Sequence, residues 1–293
     1  MNIRLTQMEK ANRNNKHFPL YLYPLRAYSG KGVFLPHWHT EYEIIIADCK
    51  GLAEFDNMQI HFFPGELLFV NQEVLHRVDA YSDGTITAIV FDLSLLSFPA
   101  NDICQIEILE KMKAKKLLFP QIIQKGDCYY SALHENISDI IAYFYSDIPM
   151  KELKIKALFY DLIFNCYSEN IFTVPHQARL SHTEHMQMES IKSALYFIET
   201  NYHKHITLTD MAEHVHLSKF YFIKLFQEFT DTTPALFLKN VRLENSKACL
   251  LSGRSVTETA LLCGFQNISY YIRSFKNQFG MTPKEFQKNP KQK

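Results

Sequence analysis

Residues 218–234 read SKFYFIKLFQEFTDTTP and residues 267–283 read NISYYIRSFKNQFGMTP, so the chain says nearly the same thing twice. Aligned without gaps at an offset of 49, Ile223 falls on Ile272, Lys224 on Arg273, Phe226 on Phe275, Thr233 on Thr282 and Pro234 on Pro283. Phe229 falls on Gln278, one residue short of Phe279. A unit repeated within one chain predicts a repeated supersecondary element.

Working outward, each copy follows a short helical pattern. Thr207 to Asp210 starts a helix, with Thr207 or Thr209 as its cap. Met211, Ala212 and Val215 face inward, His216-Leu217 turns, and Ser218 opens the second helix. In the other copy Val256, Ala260 and Cys263 face inward, Gly264-Phe265 turns, and the second helix begins near Asn267. Ala212 to Ser218 is six residues and Ala260 to Asn267 is seven, so the second turn carries one extra residue. Helix pairs joined this tightly place their second helix in the DNA major groove. Pro234 to Leu251 fits a connecting helix that Pro234 begins and Ser252-Gly253 ends. Its 18 residues span about 27 Å, so the two second helices could enter successive major grooves roughly 34 Å apart. Leu225, Phe226, Phe275 and Phe279 read as core. His216 stands where the other copy has Gly264, and Asp231 where it has Gly280, which predicts more strained turns in the first copy.

The rest of the chain sets a frame around this repeat. Its 293 residues suit two domains, and 47% hydrophobic residues can fill two cores. No run of about 18 apolar residues predicts a membrane span, and the polar start MNIRLTQMEKANRNNKHF lacks a secretory h-region. Six cysteines without a C-x-x-C pair suit reduced thiols in a cytoplasm. Net charge is zero, yet residues 184–293 carry +4 (14 Lys and Arg, 10 Asp and Glu) and residues 1–183 carry −4 (17 against 21). The basic half is the repeat half.

Residues 1–17 read as a polar N-terminal arm. From Phe18 to about Phe91, short apolar strands alternate with turn signals at Asp56-Asn57, Pro64-Gly65 and Ser82-Asp83-Gly84, predicting an antiparallel barrel or double sheet. Within it, residues 37–43 read HWHTEYE. If this is strand, His37, His39, Glu41 and Glu43 share one face and Trp38, Tyr42 and Ile44 the other. Two imidazoles and a carboxylate on one face can bind a metal, line a ligand pocket, or satisfy one another. His37, His39, Glu43 and the later His76 resemble the two motifs of the cupin superfamily, H-x-H-x-x-x-E followed by a histidine, with Pro64-Gly65 as the turn before that last strand. The second motif lacks the Gly-rich spacing of strongly metal-binding cupins. These four residues are therefore expected to bind a ligand, with neither metal nor other cofactor assigned.

Residues 129–145 and 153–167 turn to helical period, separated by Ile148-Pro149, and predict two antiparallel helices that cap the barrel or form a dimer interface. Leu133, Ile137 and Ile140 mark the first inward face; Leu153, Ile155, Leu158, Phe159 and Leu162 mark the second. The polar run 173–187 is the expected linker, leaving 18–172 as a sensing and dimerisation domain and 188–293 as a DNA-binding domain.

Residues 188–287, above all RLENSKACLLSGRSVTETALLCGFQNISYYIRSFKNQFGMTPKEF, resemble the AraC/XylS family of transcription regulators, and the upstream half resembles that family's sensor domain. The resemblance implies an α+β chain: a cupin-like antiparallel barrel with a helical pair, then an all-α double helix-turn-helix domain. It places DNA contacts on Lys219, Phe220, Ile223, Lys224, Asn267, Ile268, Ser269, Tyr270, Ile272, Arg273 and Lys276. Lys and Arg can donate to guanine or phosphate, Asn and Ser to base edges, and aromatic or Ile side chains can meet thymine methyls. The expected protein is a cytoplasmic, ligand-responsive regulator, not an enzyme and without a membrane. Its partners are double-stranded DNA, a small-molecule effector, a second copy of itself and, for an activator, RNA polymerase. The alternatives are a metal-dependent cupin enzyme tethered by its C-terminal repeats, or a barrel that only dimerises.

Overall fold

The computed structural model describes residues 17–29, 31–32, 35–56, 58–98, 102–174 and 182–288. The expected N-terminal arm, apart from His17, and residues 175–181 of the expected linker lie outside the described residues. The chain divides after Arg179 into two units.

Among its described residues the first unit holds nine strands: β1 (Leu20–Ala27), β2 (Lys31–Gly32), β3 (Tyr42–Ala47), β4 (Gly51–Phe55), β5 (Met58–Phe62), β6 (Leu67–Val70), β7 (His76–Ala80), β8 (Gly84–Phe91) and β9 (Ile122–Ile123). They form one sheet in the order β1-β8-β3-β6-β9 and another in the order β2-β7-β4-β5, antiparallel throughout. The near-continuous apolar runs of β1, β3, β6 and β8 have a physical reason. One parity, Tyr21, Tyr23, Ile45, Leu68, Val70, Ala88 and Val90, packs with residues of the second sheet. The other parity, Leu20, Leu22, Ile44, Leu67, Phe69, Ile89 and Phe91, packs with the helices. The larger sheet is thus buried on both faces, which a period of two cannot disguise as amphipathic.

Those helices are α1 (Glu110–Lys113), α2 (Tyr130–Tyr145) and α3 (Lys151–Ser168), with Met150 in a left-handed conformation at the α2–α3 corner. Leu133, Ile137 and Ile140 of α2 and Ile155, Leu158, Phe159, Leu162 and Cys166 of α3 are buried. Leu153 departs from the expected inward set and is 68% exposed. It lies one turn before Ala157 on the outer face of α3.

Among its described residues the second unit's regular elements are all helices: α4 (His182–Asn201), α5 (Leu208–His214), α6 (Lys219–Thr230), α7 (Pro234–Leu251), α8 (Val256–Leu262), α9 (Ile268–Phe279) and α10 (Pro283–Lys288). The expected linker is too long at both ends. Thr173 exchanges backbone hydrogen bonds with Leu118, and α4 already runs from His182. Residues 183–186 are all exposed, so this part of α4 buries no stripe and leaves no apolar period to read. Among the described residues no helix is long and apolar enough to cross a membrane.

Candidate nucleic-acid interface and a buried histidine cluster

The two helix-turn-helix copies close in the same way. Thr207 caps α5 and Ser255 caps α8, each in a reciprocal capping box, with Asp210 and Glu258 as the respective acidic partners. Hydrogen bonds from the Thr207 backbone and hydroxyl hold the Asp210 carboxyl below its ordinary range, and those from the Ser255 hydroxyl and backbone do the same for Glu258. After α5, the His216 N–H donates to Glu213 O and the Leu217 N–H to Ala212 O; after α8, Gly264 donates to Leu261 O and Phe265 to Ala260 O. Each is a Schellman ending, whose central residue must be left-handed. His216 accordingly has φ 56° where Gly264 has 81°, and Asp231, capping α6, has φ 52° where Gly280, capping α9, has 76°. Side-chain-bearing residues thus hold glycine conformations in the first copy, as its missing glycines imply.

The helices that follow begin with side-chain caps. The Ser218 hydroxyl accepts from the Tyr221 N–H, and Asn267 Oδ1 accepts from the Tyr270 N–H at 2.8 Å. Asn267 therefore commits its carbonyl oxygen to the cap and keeps only its NH₂ group for DNA. Of the residues expected at DNA, Lys219, Phe220, Lys224, Asn267, Ser269, Tyr270, Arg273 and Lys276 are exposed. Ile223, Ile268 and Ile272 are half-buried, and the latter two pack on the core around Phe275. The offset of 49 pairs two further exposed positions with expected contacts. Tyr221 is the counterpart of Tyr270 and Gln227 of Lys276, and both are exposed. On each helix one face presents residues at i, i+4 and i+7: Phe220, Lys224 and Gln227 on α6, and Ser269, Arg273 and Lys276 on α9. Between them α7 carries a buried ion pair, Lys247 Nζ to Glu244 Oε2 at 2.5 Å, with Lys247 also over the Phe279 ring.

In the first unit the four expected ligand-binding residues do meet. His37, His39, Glu43 and His76 are 3%, 5%, 1% and 1% exposed, and one donor atom from each lies within 4.8 Å of the others. The expected reason is only partly right. Strand β3 starts at Tyr42, so residues 37–41 share no strand face. Instead, local hydrogen bonds aim the rings: Nδ1 of His37 donates to Leu35 O, that of His39 to Glu41 O and that of His76 to Val74 O. A backbone bridge sets His37 opposite His76. Glu41 stands outside the cluster, with Oε2 accepting from the Thr40 hydroxyl. Nε2 of His39 and of His76 each lie 3.0 Å from Glu43 Oε2. Burial would raise the Glu43 pKa, but hydrogen bonds and charge from His39 and His76 hold it well below the usual carboxylate range. Burial, followed by the neighbouring rings His76 and His39, keeps His37 well below its ordinary value. A separate groove of about 400 Å³, lined by Phe18, Tyr23, Tyr145, Lys151 and Glu152 among others, includes none of the four.

Comparison with known proteins fits the second unit. Residues 211–289 match the helix-turn-helix domain family. The HTH-type transcriptional regulator YdeC of Bacillus subtilis is 23% identical over 86% of this chain and 85% of its own. The XylDLEGF operon transcriptional activator of Pseudomonas putida is 32% identical over 33% of this chain, which spans 31% of that relative's length. A solved structure of ToxT from Vibrio cholerae aligns with 92% of this chain and 98% of its own at 12% identity, with a TM-score of 0.48, too loose a likeness to transfer a site. With two capped helix-turn-helix units on either side of a connecting helix, the chain is a DNA-binding transcription regulator whose second unit matches the helix-turn-helix domain family.

Proposed function

We propose that this regulator is controlled by an effector received in the N-terminal double sheet at His37, His39, Glu43 and His76, and that it acts on DNA as a cytoplasmic homodimer. The observation that carries the DNA reading is the matched pair of exposed faces, Phe220/Lys224/Gln227 and Ser269/Arg273/Lys276. Cations on these faces can contact phosphate or guanine, Ser269 a base edge, and Phe220 a thymine methyl. Lys219 and Tyr270 flank them, and the NH₂ of Asn267 points a donor from the cap of α9. Ile223, Ile268 and Ile272 serve chiefly as the packing under those faces.

The homodimer reading rests on the outer face of α3. Leu153, Ala157, Phe164 and Tyr167 are exposed within one stripe, and exposed apolar stripes mark interaction sites. RNA polymerase is the further partner if the protein activates. On this reading the first unit serves sensing and not turnover. An effector shifts DNA binding only by its different affinity for two states of the chain.

Selection of fragmented genomic DNA on the full chain, followed by anisotropy titration of an enriched fragment across salt concentrations, tests the reading. Enrichment of discrete sequences with binding that weakens steeply in salt is expected. Uniform recovery of all fragments, or affinity indifferent to salt, refutes it. Light scattering of the full chain reads the dimer.

A further inference from the structure

We infer that Arg242 locks the two helix-turn-helix copies into one register, and so sets how many base pairs must separate the DNA segments read by α6 and α9. It is a positioning residue that confers spacing selectivity. The inference rests on the reading that both exposed faces meet DNA, and adds what fixes their separation.

The connecting helix by itself is a tether. The first copy grips its N-terminal half, where Thr233 caps α7 and the Phe237 ring meets Phe226 of α6 at 5.6 Å. The second copy grips its C-terminal half, where Leu243 and Leu250 pack with Phe275, and Gln287 of α10 donates to Leu250 O and Arg254 O. Long helices are rarely straight, so two bodies held at opposite ends of one helix rock as it bends. A second point of attachment removes that freedom.

Arg242, half-buried near the middle of α7, supplies it. Its Nε donates to Tyr202 O at 2.8 Å and its Nη2 to Lys204 O at 2.9 Å. Those carbonyls lie just beyond Asn201, the last residue of α4, on the way into α5 of the first copy. A cation there faces the negative end of the α4 dipole as well as two acceptors. The second copy arrives at the same point. A Cβ on Gly264, in the turn between α8 and α9, would lie 2.5 Å from Tyr202 O, 3.1 Å from His203 O and 3.0 Å from Arg242 Nε. The segment that leads into the first copy, the connecting helix and the turn of the second copy thus meet at one guanidinium.

The repeat shows that this contact is not part of either copy's own architecture. The caps Thr207 and Ser255, and their acids Asp210 and Glu258, stand 48 positions apart. Carried back by 48, Arg242 falls on Ala194, a fully buried alanine of α4. The first copy is therefore built without such a cation. A residue needed to fold a helix-turn-helix would recur in both copies, whereas one that fixes the copies to each other is needed once.

The test uses the full chain and a DNA site obtained by selection on the parent protein, with versions carrying one base pair inserted or removed between the two footprinted segments. Each change moves one segment by roughly 3.4 Å and turns it by roughly 35° about the duplex axis. The parent should lose about tenfold or more in affinity on either altered site, the cost of misplacing even one base contact. Arg242→Met keeps an unbranched apolar stem without the fork. It should bind the altered sites within about threefold of its affinity for the selected one, while protecting both segments. Arg242→Lys keeps the charge but cannot span both carbonyls at once, and its ratio should fall between. A merely structural residue would weaken all three sites together and leave their ratio alone. An unchanged ratio in Arg242→Met, or in Arg242→Lys should the first variant not fold, therefore overturns the inference. So does a parent that protects two segments yet binds altered and selected sites within about threefold, a result that relies on no variant. A parent footprint confined to one segment fails the reading that both faces meet DNA, and takes the inference with it.

Discussion

Gly264→Ala is the sharpest perturbation of the second helix-turn-helix unit, because two separate costs meet at one methyl group. Gly264 holds φ +81°, and a Cβ there would lie 2.5 Å from Tyr202 O and 3.0 Å from Arg242 Nε. The left-handed conformation costs a side-chain-bearing residue about 1–2 kcal/mol, of which stiffening the unfolded chain returns about 0.4–1 kcal/mol. The contact adds more. Tyr202 O accepts from Arg242 Nε at 2.8 Å, and Arg242 Nη2 donates to Lys204 O at 2.9 Å. Moving Tyr202 O away by the ångström or so that a methyl group requires breaks the first of these, and a hydrogen bond from a charged donor is worth about 1.5–3 kcal/mol. The sum is about 2–4 kcal/mol. Hydrogen-exchange mass spectrometry on the full chain isolates the unit, and amides of α8 and α9 should lose roughly 30- to 700-fold protection. The matching position in the first copy is the control. His216 already bears a side chain at φ 56°, so His216→Gly trades strain against chain entropy and should change α5 and α6 protection by less than about tenfold. Protection within threefold of the parent in Gly264→Ala, or an equal loss in His216→Gly, refutes the reasoning.

Arg273→Ala and Lys224→Ala should each reduce the slope of log affinity against log salt by about 1, as expected for one lost phosphate contact; unchanged slopes in both would remove these cations from the interface. Lys247→Met leaves the Glu244 carboxylate, 1% exposed, without its 2.5 Å lysine. Breaking such a pair costs about 3–5 kcal/mol, and a Glu244→Leu change beside it should restore most of the lost melting temperature. Among the thiols, Cys104 and Cys128 are exposed while Cys49, Cys166 and Cys263 are buried. Burial pushes the Cys166 thiol up to about 12, so at pH 8 its thiolate fraction is on the order of 10⁻⁴. A disulfide reagent should modify Cys104 and Cys128 in the native protein and the three buried thiols only after denaturation, as peptide mapping will read. Phe164→Glu on the outer face of α3 should shift the proposed dimer toward monomer in light scattering without altering the melt, since Phe164 is 65% exposed.

The helical unit was legible because its information is local. Caps, inward small residues and Thr-Pro starts lie within a few positions of each other, and the repeat states them twice. The same offset adds two candidates: it pairs Tyr221 with Tyr270 and Gln227 with Lys276, though neither Tyr221 nor Gln227 looks like a DNA contact by itself. Legibility failed where burial supplied no pattern. Residues 182–187 are helical, yet their one apolar side chain, Met186, is exposed, so a rule that finds helices by their apolar stripe starts this one at Met188. Leu153 failed in the opposite sense, an apolar residue in phase with its neighbours that the fold leaves outside.

The histidine cluster shows how a correct set of residues can emerge from an incomplete geometric reason. Alternation along one strand would have placed Glu41 with His37, His39 and Glu43, yet the extended ladder begins only at Tyr42, and Glu41 turns to Thr40. What gathers the other four is a combination that spacing does not encode. Carbonyls two residues away lock each ring, and the bridge between His37 and His76 closes a separation of 39 positions. Those backbone constraints matter for function as well as position. A ring held by its own backbone cannot swing out to meet a large ligand, so the cluster favours an occupant small enough to come to it.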